Sequence, residues 1–95
     1  MDSLQRYVPL GYAQISSLDS AKGLGTIPAG ATVAVIIPQA QAVRFRDDGT
    51  APTGISGMPI AVGQEFVYSG SLSAFAVIEQ AASAVLNVAF YRGVG

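Results

Sequence analysis

The chain has no cysteine, no histidine and no tryptophan, and only 12% of its 95 residues are charged. Without cysteine there is no disulfide framework and no thiolate zinc site, and the redox compartment leaves no mark on the sequence. Without histidine, the Ser-His-Asp and Cys-His nucleophile systems, imidazole metal sites and the commonest general base are all missing. Charge is scarce in both signs: five Lys or Arg against six Asp or Glu give a net −1. No basic block exists to neutralise nucleic-acid phosphates. The longest apolar stretch, Thr32 to Pro38, is far below the roughly 20 residues that a membrane-spanning helix needs. The first residues, Met1-Asp2-Ser3-Leu4-Gln5-Arg6, lack the basic-then-apolar order of a secretory leader. The expectation is a protein kept inside the cell that makes it until assembly or lysis, with no cofactor, no nucleic-acid partner and no membrane partner.

What is present is apolar and small. Hydrophobic residues make up 51% of the chain, which excludes disorder driven by charge, and the length allows one domain. A small monomer normally covers its surface with Lys and Glu, yet there is one lysine, Lys22, and two glutamates, Glu65 and Glu79. Interface cores are depleted in charge in the same way, so much of the exterior is expected to be covered by neighbouring subunits. The plainer alternative is a monomer with an uncharged polar surface.

The hydrophobic pattern is that of strands. Met1 to Gly11 is polar, with Pro9 and Gly11, and reads as an arm that frays or docks on a neighbour, leaving residues 12–95 as a single β domain. Tyr12 to Ser16 alternates with the period of a half-buried strand. Ser17 to Gly25 reads as a polar connection. Thr32 to Ile37 is dense and β-branched, the pattern of a central strand buried on both faces and ended by Pro38. Further strands are expected at Ala42–Arg46, Glu65–Tyr68, Ala74–Glu79 and Val85–Arg92, with a loop or weak edge strand at Ala51–Gly57. Ile27-Pro28-Ala29-Gly30 and Pro59-Ile60-Ala61-Val62-Gly63 are matching corners, proline setting one turn residue and glycine supplying a positive φ. The fold class is all-β: a small β-sandwich or jelly-roll-like barrel of about 6–8 short antiparallel strands behind an N-terminal arm.

Candidate chemistry is thin. Glu65 and Glu79 are the one pair available for glycoside hydrolysis, against the simpler reading of strand-end charges. Asp47-Asp48-Gly49-Thr50 offers oxygens to calcium but lacks the spaced ligands of a calcium loop, and turn chemistry explains it. Ser20 with Lys22, and Gly23-Leu24-Gly25-Thr26, lack the context of a nucleophile or a phosphate cradle. No enzyme is expected. Arg44 and Arg46, two apart on one strand, share a face opposite Val43 and Phe45 and call for something acidic: Glu79 on a neighbouring strand, or a carboxylate on a partner. Phe45, Phe66, Phe75 and Phe90 form the expected core, one per strand. Tyr7, Tyr12, Tyr68 and Tyr91 sit nearer segment ends, where a ring is buried and its hydroxyl wet. Tyr7, in the arm, needs a neighbour to be buried. Tyr7, Arg44 and Arg46 are thus the candidate partner contacts.

One stretch carries a resemblance. Val43-Arg44-Phe45-Arg46-Asp47-Asp48-Gly49-Thr50-Ala51-Pro52-Thr53, then Gly57-Met58-Pro59-Ile60, Gly63-Gln64-Glu65-Phe66, Gly70 to Glu79 and Leu86-Asn87-Val88-Ala89-Phe90-Tyr91 resemble a pattern in small bacteriophage-encoded structural proteins. It spans about half the chain. The resemblance implies a virion component made in the bacterial host cytoplasm. The leading expectation is a capsid decoration (cement) protein that binds and stabilises the assembled head shell. Its partners would be the phage major capsid protein and its own copies, as a homo-oligomer with a trimer among the candidate symmetries. The alternatives are a tail, neck or fibre-associated module, or a carbohydrate- or receptor-binding β-sandwich.

Overall fold

The computed structural model describes residues 7–93. It holds seven strands: β1 (Tyr7–Ile15), β2 (Val33–Gln39), β3 (Val43–Arg46), β4 (Met58–Ile60), β5 (Phe66–Tyr68), β6 (Ala76–Glu79) and β7 (Val85–Gly93). All pairings are antiparallel, in a four-stranded sheet of order β1-β7-β2-β5 and a three-stranded sheet of order β4-β3-β6. Two separate sheets around one core make a small β-sandwich. Among the described residues, no helix is long and apolar enough to cross a membrane.

The chain changes sheet four times, between β2 and β3, between β4 and β5, between β5 and β6, and between β6 and β7. Three of the four carry one residue in the left-handed region: Ala40 at φ 74°, Gly63 at φ 78° and Ser83 at φ 76°; the β5 to β6 crossing instead runs through a 3-10 turn at Leu72–Ala74. A strand has to bend sharply to leave one layer for the other, and a positive φ makes that bend within a single residue. Of these three sites only Gly63 is a glycine, so Ala40 and Ser83 carry strain.

Two proline positions differ from expectation. Pro38 does not end its strand: it lies within β2 opposite Leu86, beyond the point where β5 stops pairing at Ile36. Its missing N–H therefore costs no ladder bond on that side. Pro59 is not part of a corner either. It sits in edge strand β4 opposite Arg44, and the turn is Ala61–Gln64, closed by Gln64 N–H donating to the Ala61 carbonyl at 3.0 Å. The first corner is the turn Pro28–Ala31, closed at 3.1 Å, with Gly30 at φ 86°.

The expected arm divides in two. Residues 1–6 lie outside the described residues, whereas Tyr7 to Gly11 belongs to β1, paired with Gly93 to Phe90 of β7. Leu10 is the extra residue where the register shifts between Pro9 and Gly11, a bulge of the kind that blunts an edge strand. Deleting the first eleven residues would therefore damage the sheet itself.

The core is larger than the strand pattern suggested. Val43, Phe45, Ile60, Phe75, Val77, Leu86, Val88 and Phe90 fill the space between the sheets, joined by Leu18, Leu24 and Tyr68. Leu18 and Leu24 come from the supposedly polar connection, which lies along the free edge of β6: Glu79 N–H donates to the Leu18 carbonyl at 2.9 Å, and Lys22 and Val77 exchange two bonds at 2.8 and 2.9 Å. That segment closes one sheet edge and plugs the sandwich at once. Phe66 is only partly buried, and Phe75 precedes β6 rather than lying in a strand. The Phe45 and Phe75 rings stack at 4.7 Å with Tyr68 4.9 Å from Phe75, contacts that add about 0.5–1.5 kcal/mol per pair beyond area burial.

Candidate functional site

Alternation along paired strands places every second residue of the four-stranded sheet on its outer side. Ala34, Ile36, Val88, Phe90 and Tyr68 face the core, so Val35, Ala89, Tyr12 and Val67, which oppose one another in register, face outward. Tyr12 is 65% and Val67 53% exposed. One row along the strands lie Pro9, Tyr91 and Val33, and one row the other way Gln14, Asn87 and Ile37. Val33 is buried without belonging to the inter-sheet core. The β2 run is thus internal to its sheet, but on the outer face Val35 and Ile37 are only half-buried, short of the expected burial on both faces. Its β-branched outward residues make a wall.

That wall carries no charge. The four strands contain a single charged side chain, Arg92, which alternation turns to the other side from Tyr91, beside Gly30. Glu65 stands just before β5, at the rim.

Polar groups on this face pair with one another. Tyr12 Oη donates to Asn87 Oδ1, Gln14 Nε2 donates to the same oxygen at 3.1 Å, and Asn87 Nδ2 donates to Gln39 Oε1 at 3.1 Å and to the Ile37 carbonyl at 3.3 Å. One asparagine thereby links three strands. With both atoms of its amide already partnered, Asn87 loses little when water is removed from the centre of the cluster.

The three residues singled out from sequence lie apart from its centre. Tyr7 sits at the far end of the sheet, opposite Gly93, its ring 6.4 Å from Tyr91 in an edge-to-face contact. Its partial burial comes from its own chain. Arg44 and Arg46 do share the outer face of β3, with Val43 and Phe45 buried beneath. Their partners are local. Arg44 Nη1 donates to the Gly57 carbonyl at 2.8 Å, and with the Gln80 amide oxygen turned toward it Nε donates there at 2.8 Å. Arg46 forks onto Asp48, Nε to Oδ1 at 3.1 Å and Nη2 to Oδ2. The hydrogen bonds from Arg46, then from the Thr50 N–H, hold the Asp48 carboxyl below its usual range, and the same pairing raises the Arg46 guanidinium. Glu79 is not their counter-charge: it opposes Val43 and accepts from the Ala84 N–H at 3.3 Å.

Beside Arg46, a groove of about 360 Å³ is lined by Asp47, Asp48, Ser56, Gly57 and Met58. Its carboxylates are already committed, Asp48 to Arg46 and Asp47 to the Tyr68 hydroxyl at 2.7 Å. Among the described residues, no three carboxylates gather as a metal-binding group. Glu65, just before β5, and Glu79, the last residue of β6, belong to different sheets.

Comparison with known protein families, with characterised proteins and with solved structures finds no match for this chain. The outer face and its Asn87 hub went unmarked in the sequence reading. The signal for Asn87 was there: a lone amide between Leu86 and Val88 in an alternating strand has to point outward.

Proposed function

We propose that this chain is a structural protein that works by covering protein surfaces, a virion component of the head-decoration type that binds an assembled bacteriophage shell and reinforces it. The observation that carries the adhesive part is the uncharged outer face of the four-stranded sheet, with the Asn87 cluster satisfied within it. A wall of this kind gains by losing water and matches a protein surface better than a charged polymer or an ion. The viral part rests on the resemblance across Val43 to Tyr91.

The mechanism is mass action. A rigid sandwich seated across a junction between shell subunits binds the assembled state and not the separated one, so each bound copy makes separation harder. Contacts to two subunits at once add avidity.

The test is to mix the purified chain with bacteriophage heads, pellet them, and count copies per particle by quantitative mass spectrometry. Occupancy that tracks the number of shell subunits, together with a rise in the temperature at which heads release their contents, supports the reading. A handful of copies per particle would move the protein to the tail or neck. No binding to any head, together with glycan binding by the isolated domain, would replace the reading with a carbohydrate-recognition role.

A further inference from the structure

The outer face of the four-stranded sheet also specifies what covers it. We propose that its occupant is a second copy of the same face, giving a two-fold dimer in which the two sandwiches stack sheet on sheet about Val35 and Ala89. The inference rests on the reading of that face as an adhesion surface and adds the partner.

Charge is the first argument. A surface that meets its own copy brings every charge onto a like charge near the axis, so self-association is penalised wherever the face is ionised. Here the outward positions of β1, β2, β5 and β7 hold none, and with Glu65 at the rim, before β5, two copies meet without repulsion at the Val35–Ala89 centre. Area is the second. Strands about 4.8 Å apart rising about 3.4 Å per residue, nine residues long in β1 and β7, seven in β2 and three in β5, span roughly 460 Å². Two such faces bury about 900 Å² together, the size of a weak, reversible contact, so the dimer is expected toward the upper end of a micromolar to near-millimolar concentration range. Shape is the third. The central row is small or β-branched, Ala89 beside Val35, and lets two twisted sheets approach to the usual spacing of about 10 Å at an angle near 30°.

The symmetry follows. One patch against the same patch is an isologous contact that closes at two, whereas a three-fold ring would need two different complementary surfaces. With this face occupied, the three-stranded sheet and the Thr53–Ser56 turn, where Ile55 is 90% exposed, remain outward for the shell.

Sedimentation velocity of the full chain, from micromolar to near-millimolar concentration, is the test. The expected result is a dimer whose dissociation constant rises at least about tenfold in Val67→Lys and in Val35→Lys, with far-UV circular dichroism and melting temperature read alongside. Val67 is already half in solvent, so its variant keeps the fold even where Val35→Lys loses stability. Ile55→Lys leaves the dimer unchanged. Because the chain has no cysteine, Ala89→Cys is expected to form a disulfide between copies on oxidation, and Ile55→Cys is not. A wild-type chain that stays monomeric throughout would overturn the proposal, as would a dimer indifferent to Val67→Lys, which would point to pairing through the β1 edge. Head binding is scored separately: a monomer that binds heads sinks the dimer alone, and a dimer that ignores them sinks the decoration reading alone.

Discussion

The Tyr68 hydroxyl, on β5 of the four-stranded sheet, donates a 2.7 Å hydrogen bond to Asp47, which follows β3 of the three-stranded sheet. It reaches the Ser71 carbonyl at 3.2 Å as well. A buried ring thus clamps the two layers with its polar tip. Burial, then the Asp47 carboxylate, push the phenol up to about 12. An unfolded tyrosine titrates near 10, so between these values the unfolded chain has lost a proton that the native chain keeps. Stability from this group is fully present below about pH 10 and falls as pH rises toward 12. Urea denaturation of wild type from pH 8 upward should show the loss, and Tyr68→Phe should flatten it. At pH 7 the same variant should lose about 1–2 kcal/mol.

Gly70 is held open for that ring. A Cβ there would lie 2.5 Å from Tyr68 Oη and 2.7 Å from Cζ, closer than non-bonded atoms approach. Gly70→Ala should cost about 1–3 kcal/mol, read as a lower urea midpoint at unchanged slope.

The two sheet crossings that hold a non-glycine residue at positive φ should be improvable. Ala40 and Ser83 are exposed and sit at φ 74° and 76°. Left-handed backbone costs a non-glycine residue about 1–2 kcal/mol, of which glycine's greater unfolded-state freedom returns roughly half. Ala40→Gly and Ser83→Gly should each raise stability by about 0.5–1 kcal/mol by calorimetry, and the pair should add.

Leu18 and Leu24 are almost completely buried although they lie outside every strand. Leu18→Ala or Leu24→Ala should cost about 2–5 kcal/mol, whereas Ile55→Ser, at a solvent-exposed turn, should change the melting free energy by under about 0.5 kcal/mol. Equal effects at the two kinds of site would refute the assigned core.

Asn87 bonds to side chains of β1 and β2 at once. Asn87→Ala should lower stability by about 1 kcal/mol and speed amide exchange in β1, the edge strand it helps hold.

Most of the strands were legible in the sequence because side chains of a strand alternate with a period of two, and Val43-Arg44-Phe45-Arg46 or Leu86-Asn87-Val88 displays that period directly. β4 was missed because Pro59 looks like a turn residue, and only its edge position makes it tolerable in a strand. Tyr68 looked like a boundary ring because its acceptor, Asp47, lies twenty-one residues away. Arg44 and Arg46 were correctly placed on one face, yet their partners are Gly57, Gln80 and Asp48.

Composition and periodicity alone determined the all-β class, the absence of histidine and cysteine chemistry, and the shortage of surface charge, since these depend on residue types and their local order. Tertiary structure decided which sheet each strand joins, which loop leucines become core, and that the uncharged outward residues of four separate strands form one continuous face. Those outcomes depend on contacts between segments far apart in the chain, and local order carries no record of them.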